Sequence, residues 1–150
     1  MSPSFSTAVF TRKPPLPLLI RLTMVAASAP LLVRGGLPRL QRWLEPSHSR
    51  AVVPDDVGMV GGQYGKWVDS IIVRGRPLVR PGCLTRGVTL YYALRRHGVD
   101  VALCFGVGPH EGEMAGHCWL DLSGEPFLEP ADPLSKFTEV VRVSRIGVTH

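Results

Sequence analysis

Acidic residues are almost missing from the first third of the chain. Residues 1–50 hold one carboxylate, Glu45, against seven Lys and Arg, so this third carries +6 and the remainder −1 of a net charge of +5 over 150 residues. Such an uneven basic excess favours an acidic partner or an anionic membrane surface. Aromatic residues are also scarce, at 7%, and few stand among the basic ones. With no DNA- or RNA-binding motif either, nucleic acid is not an expected partner. Cysteine is limited to Cys83, Cys104 and Cys118, with no Cys-x-x-Cys pair. That excludes a disulfide framework and points to a reducing, cytoplasmic compartment. Internal repeats and low-complexity tracts are absent. A clean membrane span is absent too: residues 16–33 are apolar, but Arg21 and Pro30 interrupt them. The uncharged part, residues 22–33, is shorter than the roughly 20 residues a span needs. No cleavage signal follows; Arg34, Arg39 and Arg42 do. One or two helices packed on the core are expected here, with peripheral membrane contact as the alternative.

What is present suits one domain with a real core: 45% hydrophobic and 19% charged residues. Residues 1–15 read as disordered. After residues 16–33, Gly35, Gly36 and Pro38 allow a bend, and Leu37, Leu40, Trp43 and Leu44 continue at helical spacing. Residues 45–65 carry Pro46, Pro54, Gly58, Gly61, Gly62 and Gly65 and read as a loop. Trp67, Val68, Ile71 and Ile72 fit a short helix. The resulting division is a basic, apolar helical segment and loop over 1–66, a core over 67–144 and a tail over 145–150.

The stretch Pro81-Gly82-Cys83-Leu84-Thr85-Arg86-Gly87 organises the rest. Pro-Gly breaks what precedes it. Leu84, Val88, Tyr91 and Leu94 then recur at helical spacing, as do Cys83, Leu90 and Leu94. Thr85, Thr89 and Arg96 form a polar stripe. Arg95, Arg96 and His97 suit the last turn and Gly98 the stop. Cys83 therefore opens a mostly apolar, central helix. The free N–H groups and dipole at such a helix start favour a thiolate, which is the nucleophilic form.

After Gly98 the period changes to two. Val99, Val101, Leu103, Phe105 and Val107 alternate with small or polar residues, as in a half-buried strand that includes Cys104. Residues 108–112 read as a loop with His110. A second strand over 115–122 puts His117, Trp119 and Asp121 on one face and Cys118, Leu120 and Leu122 on the other. Ser123-Gly124-Glu125 reads as a turn and 127–129 as a third strand. Val140, Val141 and Val143 fit a last short strand or helix.

A cysteine at a helix start, a histidine on a strand and an acid on the next strand is the order a thiol hydrolase or acyltransferase needs. The thiol attacks a carbonyl, the imidazole relays protons, and the acid fixes the imidazole tautomer. Asp121 shares His117's face but lies about 13 Å along the same strand, too far to orient the ring. The returning strand can do so. With a three-residue turn, Leu122 pairs with Pro126, His117 faces Ala131, and Glu129 is a diagonal neighbour. With a two-residue loop Asp132 takes that place, so register separates the candidates. A mid-turn Gly suits the three-residue loop and favours Glu129. Cys83, His117 and Cys118 are metal-capable, but their spacing matches no zinc pattern, and adjacent His117 and Cys118 point to opposite faces. No metal or cofactor is expected.

Three stretches carry a resemblance: Cys83-Leu84-Thr85-Arg86, Leu94-Arg95-Arg96-His97-Gly98-Val99, and Gly116-His117-Cys118-Trp119-Leu120-Asp121. Together they resemble the transglutaminase-like superfamily. More narrowly they are similar to the lasso-peptide leader peptidases, the cysteine-protease half of the split B protein. The family pattern has a Cys-Leu-x-Arg helix start, an arginine-rich helix end before Gly, a His-x-Trp strand and an acid twelve residues past the histidine, which falls on Glu129. The likeness covers roughly residues 67–140. It departs in having Glu129 where Asp is usual and Cys118 where Ala is commoner. The resemblance implies an α+β fold of the papain/transglutaminase type, with a central Cys-bearing helix on a small antiparallel sheet. It implies a cysteine peptidase that removes a leader from a ribosomally made precursor, with Cys83, His117 and Glu129 catalytic and Arg86 and Trp119 as substrate contacts. The implied partners are the precursor peptide, a small leader-binding protein and an ATP-dependent macrolactam synthetase. A non-catalytic peptide-binding adaptor and an isopeptide-forming transferase are the rivals on the same fold.

Overall fold

The computed structural model describes residues 13–47 and 56–150. Disorder was expected over residues 1–15, most of which (1–12) lie outside the described residues. Among the described residues four α-helices precede a five-stranded sheet, so the fold is α+β. The helices are α1 (Leu16–Arg34), α2 (Leu37–Leu44), α3 (Val57–Arg74) and α4 (Cys83–Arg96). The strands are β1 (Val101–His110), β2 (Glu113–Leu122), β3 (Glu125–Phe127), β4 (Thr138–Ser144) and β5 (Gly147–Thr149). The sheet is antiparallel throughout, in the order β3-β2-β1-β4-β5.

The helical period of 83–96 does place α4 at the centre. Val88, Leu90, Tyr91 and Leu94 are all fully buried. The helix lies between α1 and α3 on one side and β1 and β2 on the other. Leu22, Ala26 and Ala29 of α1 join this core, as do Val68, Ile71 and Ile72 of α3 and Leu103, Cys118 and Leu120 of the sheet. The alanines of α1 keep that helix close to its neighbours. Thr85 and Thr89, expected on a polar stripe, are buried as well. The Thr89 hydroxyl donates to the Thr85 carbonyl at 2.7 Å, which satisfies it inside the helix.

Arg95 is the unusual member of this core at 4% exposure. It is neutralised by Glu45 (3.0 Å) and Asp100 (2.9 Å). Tyr91 donates its hydroxyl to the same Glu45 carboxylate. The one acid of the N-terminal third is thus consumed inside the fold and is not available to offset the arginines outside.

Three local expectations change. Residues 57–65 are helix, not loop. Asp56 caps α3 by accepting from the Met59 N–H at 2.8 Å, and the glycines serve packing. A Cβ on Gly61 would lie 2.5 Å from Cζ of Phe127, so the missing side chain is what lets β3 dock on α3. The loop between the first two strands shrinks to Glu111 and Gly112, because His110 pairs with Glu113. Both turn residues have positive φ, 49° and 85°, the conformation of a tight two-residue hairpin. Last, a short strand, β5, follows in what read as tail, after Val140, Val141 and Val143 take the strand alternative as part of β4.

Candidate active site

Cys83 stands at the first position of α4, and no side chain caps that helix start. One helical turn on is Gly87. A Cβ there would meet Sγ of Cys118 at 2.9 Å and Cδ1 of Leu103 at 3.1 Å. The absence of a side chain therefore brings β2 against α4 directly beneath the thiol. Cys118 faces the helix, and His117 leaves the strand on the other side. Its ring stacks on Phe137 (4.9 Å between centroids) and on Trp119 (5.9 Å). β3 pairs with β2 only over Leu120 to Leu122, so the sheet edge at His117 is open. There the ring reaches the cavity that Cys83 also borders. Cys83, Arg86, Gly87, His117, Leu128 and Glu129 are among the residues lining it, and its volume is about 620 Å³. No hydrogen bond joins Cys83 to His117 among the described residues.

Nε2 of His117 lies 3.3 Å from Oε2 of Glu129, at the long end of hydrogen-bond range. In the tautomer whose Nε2–H donates to this carboxylate, Nδ1 carries the ring's free lone pair. Glu129 arrives there by an unexpected route. The hairpin takes the two-residue loop: Ser123 and Gly124 have φ of 55° and 89°, and Leu122 pairs with Glu125. The three-residue register is therefore wrong, and with it the diagonal-neighbour argument for Glu129. Asp132 does not take the place either. It is exposed and accepts from the Leu134 N–H at 3.0 Å, capping a 3-10 turn over Pro133–Ser135. The reason is that β3 ends at Phe127. Leu128 adopts a left-handed backbone, φ 61°, which is rare for a non-glycine residue. That turn wraps the chain around the sheet edge and delivers Glu129 to the imidazole.

Arg86 holds this turn. Its Nε donates to Asp69 at 2.8 Å and one Nη donates to the Leu128 carbonyl at 3.2 Å. The same Nη lies 4.0 Å from Oε1 of Glu129. The two carboxylate oxygens are thus divided between Arg86 and His117. Arg86, expected to contact substrate, borders the cavity, and its guanidinium is engaged with Asp69, the Leu128 carbonyl and Glu129. Trp119 requires a correction. At 1% exposure its ring cannot touch a substrate. It belongs to a small cluster with Ala102, Cys104 and Phe137 and packs against the imidazole. Asp121 is taken up by Arg142 at 3.1 Å and by the Gly124 N–H at 3.0 Å.

Sequence reasoning missed Asp69, Gly87, Leu128 and Phe137. None has a local signal. Each matters because a residue distant in sequence comes against it. The other two thiols are unlike Cys83, which is only half-buried. Burial pushes Cys104 up to about 12 and Cys118 well above the ordinary thiol value. Both therefore stay protonated near neutral pH. Among the described residues no three His, Cys, Asp or Glu converge into a group able to hold a metal ion.

A helix-borne thiol, a strand-borne imidazole and a carboxylate from the turn beyond β3, on one cavity of an α+β domain, make this a cysteine-peptidase type of fold. The family profile described as transglutaminase-like superfamily matches residues 23–142, and the chain belongs to that superfamily, whose members include cysteine proteases and transferases. The match is wider than the 67–140 on which the motifs bear. It begins inside α1, in keeping with Ala26 and Ala29 lying in the same core as α4. No curated protein and no solved structure matches the chain.

Proposed function

We propose that this chain is a cysteine peptidase that removes the leader from a ribosomally made precursor peptide during lasso-peptide maturation. The observation that carries the catalytic part is the meeting of Cys83, His117 and Glu129 on one cavity, with His117 and Glu129 3.3 Å apart. The lasso assignment is supported by the motif likeness at Cys83-Leu84-Thr85-Arg86 and Gly116-His117-Cys118-Trp119.

In this reading His117 takes the thiol proton at Nδ1 as the Cys83 sulfur attacks the scissile carbonyl carbon. The developing oxyanion receives the backbone N–H of Cys83 at the uncapped start of α4. Collapse breaks the C–N bond, and the imidazolium returns its proton to the departing amine of the core peptide. The leader remains as a thioester on Cys83. Water, deprotonated by His117, then attacks the thioester carbon; the C–S bond breaks, the leader leaves as its carboxylate, and the imidazolium returns its proton to the Cys83 sulfur. Glu129 keeps Nε2–H oriented and stabilises the imidazolium throughout. Arg86 acts as a positioning residue by holding Leu128 and Glu129. The freed amine is the group an ATP-dependent macrolactam synthetase acylates next, and a small leader-binding protein would present the precursor. Both partners and the precursor are met in the cytoplasm.

The test is mass spectrometry of a leader-bearing precursor incubated with the chain and its leader-binding protein. Cleavage at one bond, lost in Cys83→Ala and kept in Cys104→Ala, is the expected result. Binding without cleavage by the unaltered chain would make it an adaptor. A new isopeptide-linked product would make it a transferase.

A further inference from the structure

The outer face of α1 has no role in the site. Leu16, Ile20, Met24, Ala27 and Leu31 fall at spacings of four, four, three and four residues, which sets them on one side of the helix. All five are exposed, and the four large ones are at least half exposed. The inner side, Leu22, Ala26 and Ala29, is in the core. α1 is therefore apolar on both sides. Among the described residues it is the one helix long and apolar enough to cross a membrane, with mean hydropathy 1.9, yet only 17% of that stretch is buried. Its inner face is committed to packing against α4. An apolar stripe about 22 Å long is left facing outward.

Leu31 links this stripe to α2. Together with Leu32, Gly35, Arg39, Leu40, Arg42 and Trp43 it lines a groove of about 430 Å³. Trp43, expected to pack at helical spacing, is instead 71% exposed. Arg21, Arg34, Arg39 and Arg42 are all exposed, and none forms an ion pair among the described residues. No Asp or Glu occurs between residues 13 and 44, and Glu45 is consumed by Arg95.

We infer that the α1–α2 face docks on an anionic membrane surface. Leu16, Ile20, Met24 and Leu31 would enter the headgroup–acyl boundary, and Trp43 would sit at the headgroup level, where indole rings are favoured. The four arginines meet lipid phosphates. An apolar stripe alone would suit many occupants. Its union with four arginines that have no carboxylate partner among the described residues, an exposed tryptophan and a stretch without Asp or Glu from 13 to 44 is complementary to anionic lipid. The site described above opens at the start of α4 and the edge of β2. The inference stands apart from the proposed peptidase activity.

The experiment is flotation of the full chain with vesicles of phosphatidylcholine alone or containing phosphatidylglycerol. We expect binding to the anionic vesicles only, weakened at least tenfold between low and high salt. The double variant Met24→Glu, Leu31→Glu should abolish it, and Arg39→Glu, Arg42→Glu should weaken it strongly. Both place changes on exposed positions, so circular dichroism should be unchanged. Equal binding to neutral vesicles, no binding, or binding unaffected by the double variant overturns the inference. So does concentration-dependent dimerisation, by light scattering, that the double variant removes without any vesicle binding; the face would then join two copies. Capture of polyglutamate but not of vesicles, lost in the arginine variant, would make it a docking face for an acidic peptide and overturn the inference equally.

Discussion

Replacing Glu129 by Gln keeps the size of the side chain and removes its charge, so the consequence for the thiol can be worked out. Oε2 lies 3.3 Å from Nε2 of His117. A full charge pair at that distance contributes about 5 kcal/mol at an effective dielectric constant of about 20. Two features reduce it. The His117 side chain is 25% exposed, and Arg86 lies 4.0 Å from the other carboxylate oxygen. Loss of a hydrogen bond to a charged group then costs about 1.5–3 kcal/mol of transition-state support, or ten- to a hundredfold in rate. The introduced amide can also present an N–H to Nε2, which favours the tautomer that no longer leaves Nδ1 as the base. A substrate-independent assay is the rate at which iodoacetamide alkylates Cys83 at pH 7, followed by peptide mass spectrometry beside precursor cleavage. Glu129→Gln should slow both by at least tenfold and leave the urea midpoint almost unchanged. Asp132→Asn should alkylate and cleave at the original rate, because that carboxylate caps the 3-10 turn. Loss in Asp132→Asn with none in Glu129→Gln would refute the reasoning: the short turn at Leu128 would not be what delivers the acid.

Other perturbations test the frame around the site. Gly61→Ala places a Cβ 2.5 Å from Phe127; overpacking of about 1–3 kcal/mol outweighs a gain in helix propensity of about 1 kcal/mol. The urea midpoint should fall, and Cys83 alkylation with it, since Phe127 leads directly into Leu128 and Glu129. Glu45→Ala leaves Arg95, 4% exposed, with only Asp100 and the Val99 carbonyl. Denaturant unfolding should show a loss of about 2–4 kcal/mol, with little change in alkylation of Cys83 by the remaining folded protein. Burial lowers His97 below its ordinary value of 6.5, so the unfolded chain binds the extra proton first. The His97 contribution to stability is therefore lost as pH falls through about 6.5; the decline in urea midpoint from pH 7 to 5.5 should be smaller in His97→Gln. Cys104 and Cys118, held protonated by burial, should resist iodoacetamide in the folded chain at pH 7 and react only on unfolding.

The sequence by itself determined what depends on neighbours a few residues apart. The apolar period of Leu84, Val88, Tyr91 and Leu94, opened by Pro81-Gly82 and closed by Gly98, defined α4 and put Cys83 at its start. Alternation around Leu103 and Leu120 defined β1 and β2 and put His117 and Cys118 on opposite faces. These patterns are local because helix and strand periods are properties of the backbone itself. Tertiary structure decided what depends on close approach and pairing. Gly58, Gly61, Gly62 and Gly65 read as chain breakers, yet they lie within α3, where Phe127 needs the space above Gly61. Alternation already set Trp119 beside His117 on one face of β2, but Phe137, which stacks on the same imidazole, comes from the distant segment before β4. The identity of the third site residue shows the division most clearly. Counting along the hairpin favoured Glu129 through a register that does not form. Glu129 reaches His117 because Arg86, anchored on Asp69, grips the Leu128 carbonyl where β3 ends. Those contacts join residues of α3, α4 and the sheet edge, and no local pattern encodes a contact among three separate elements.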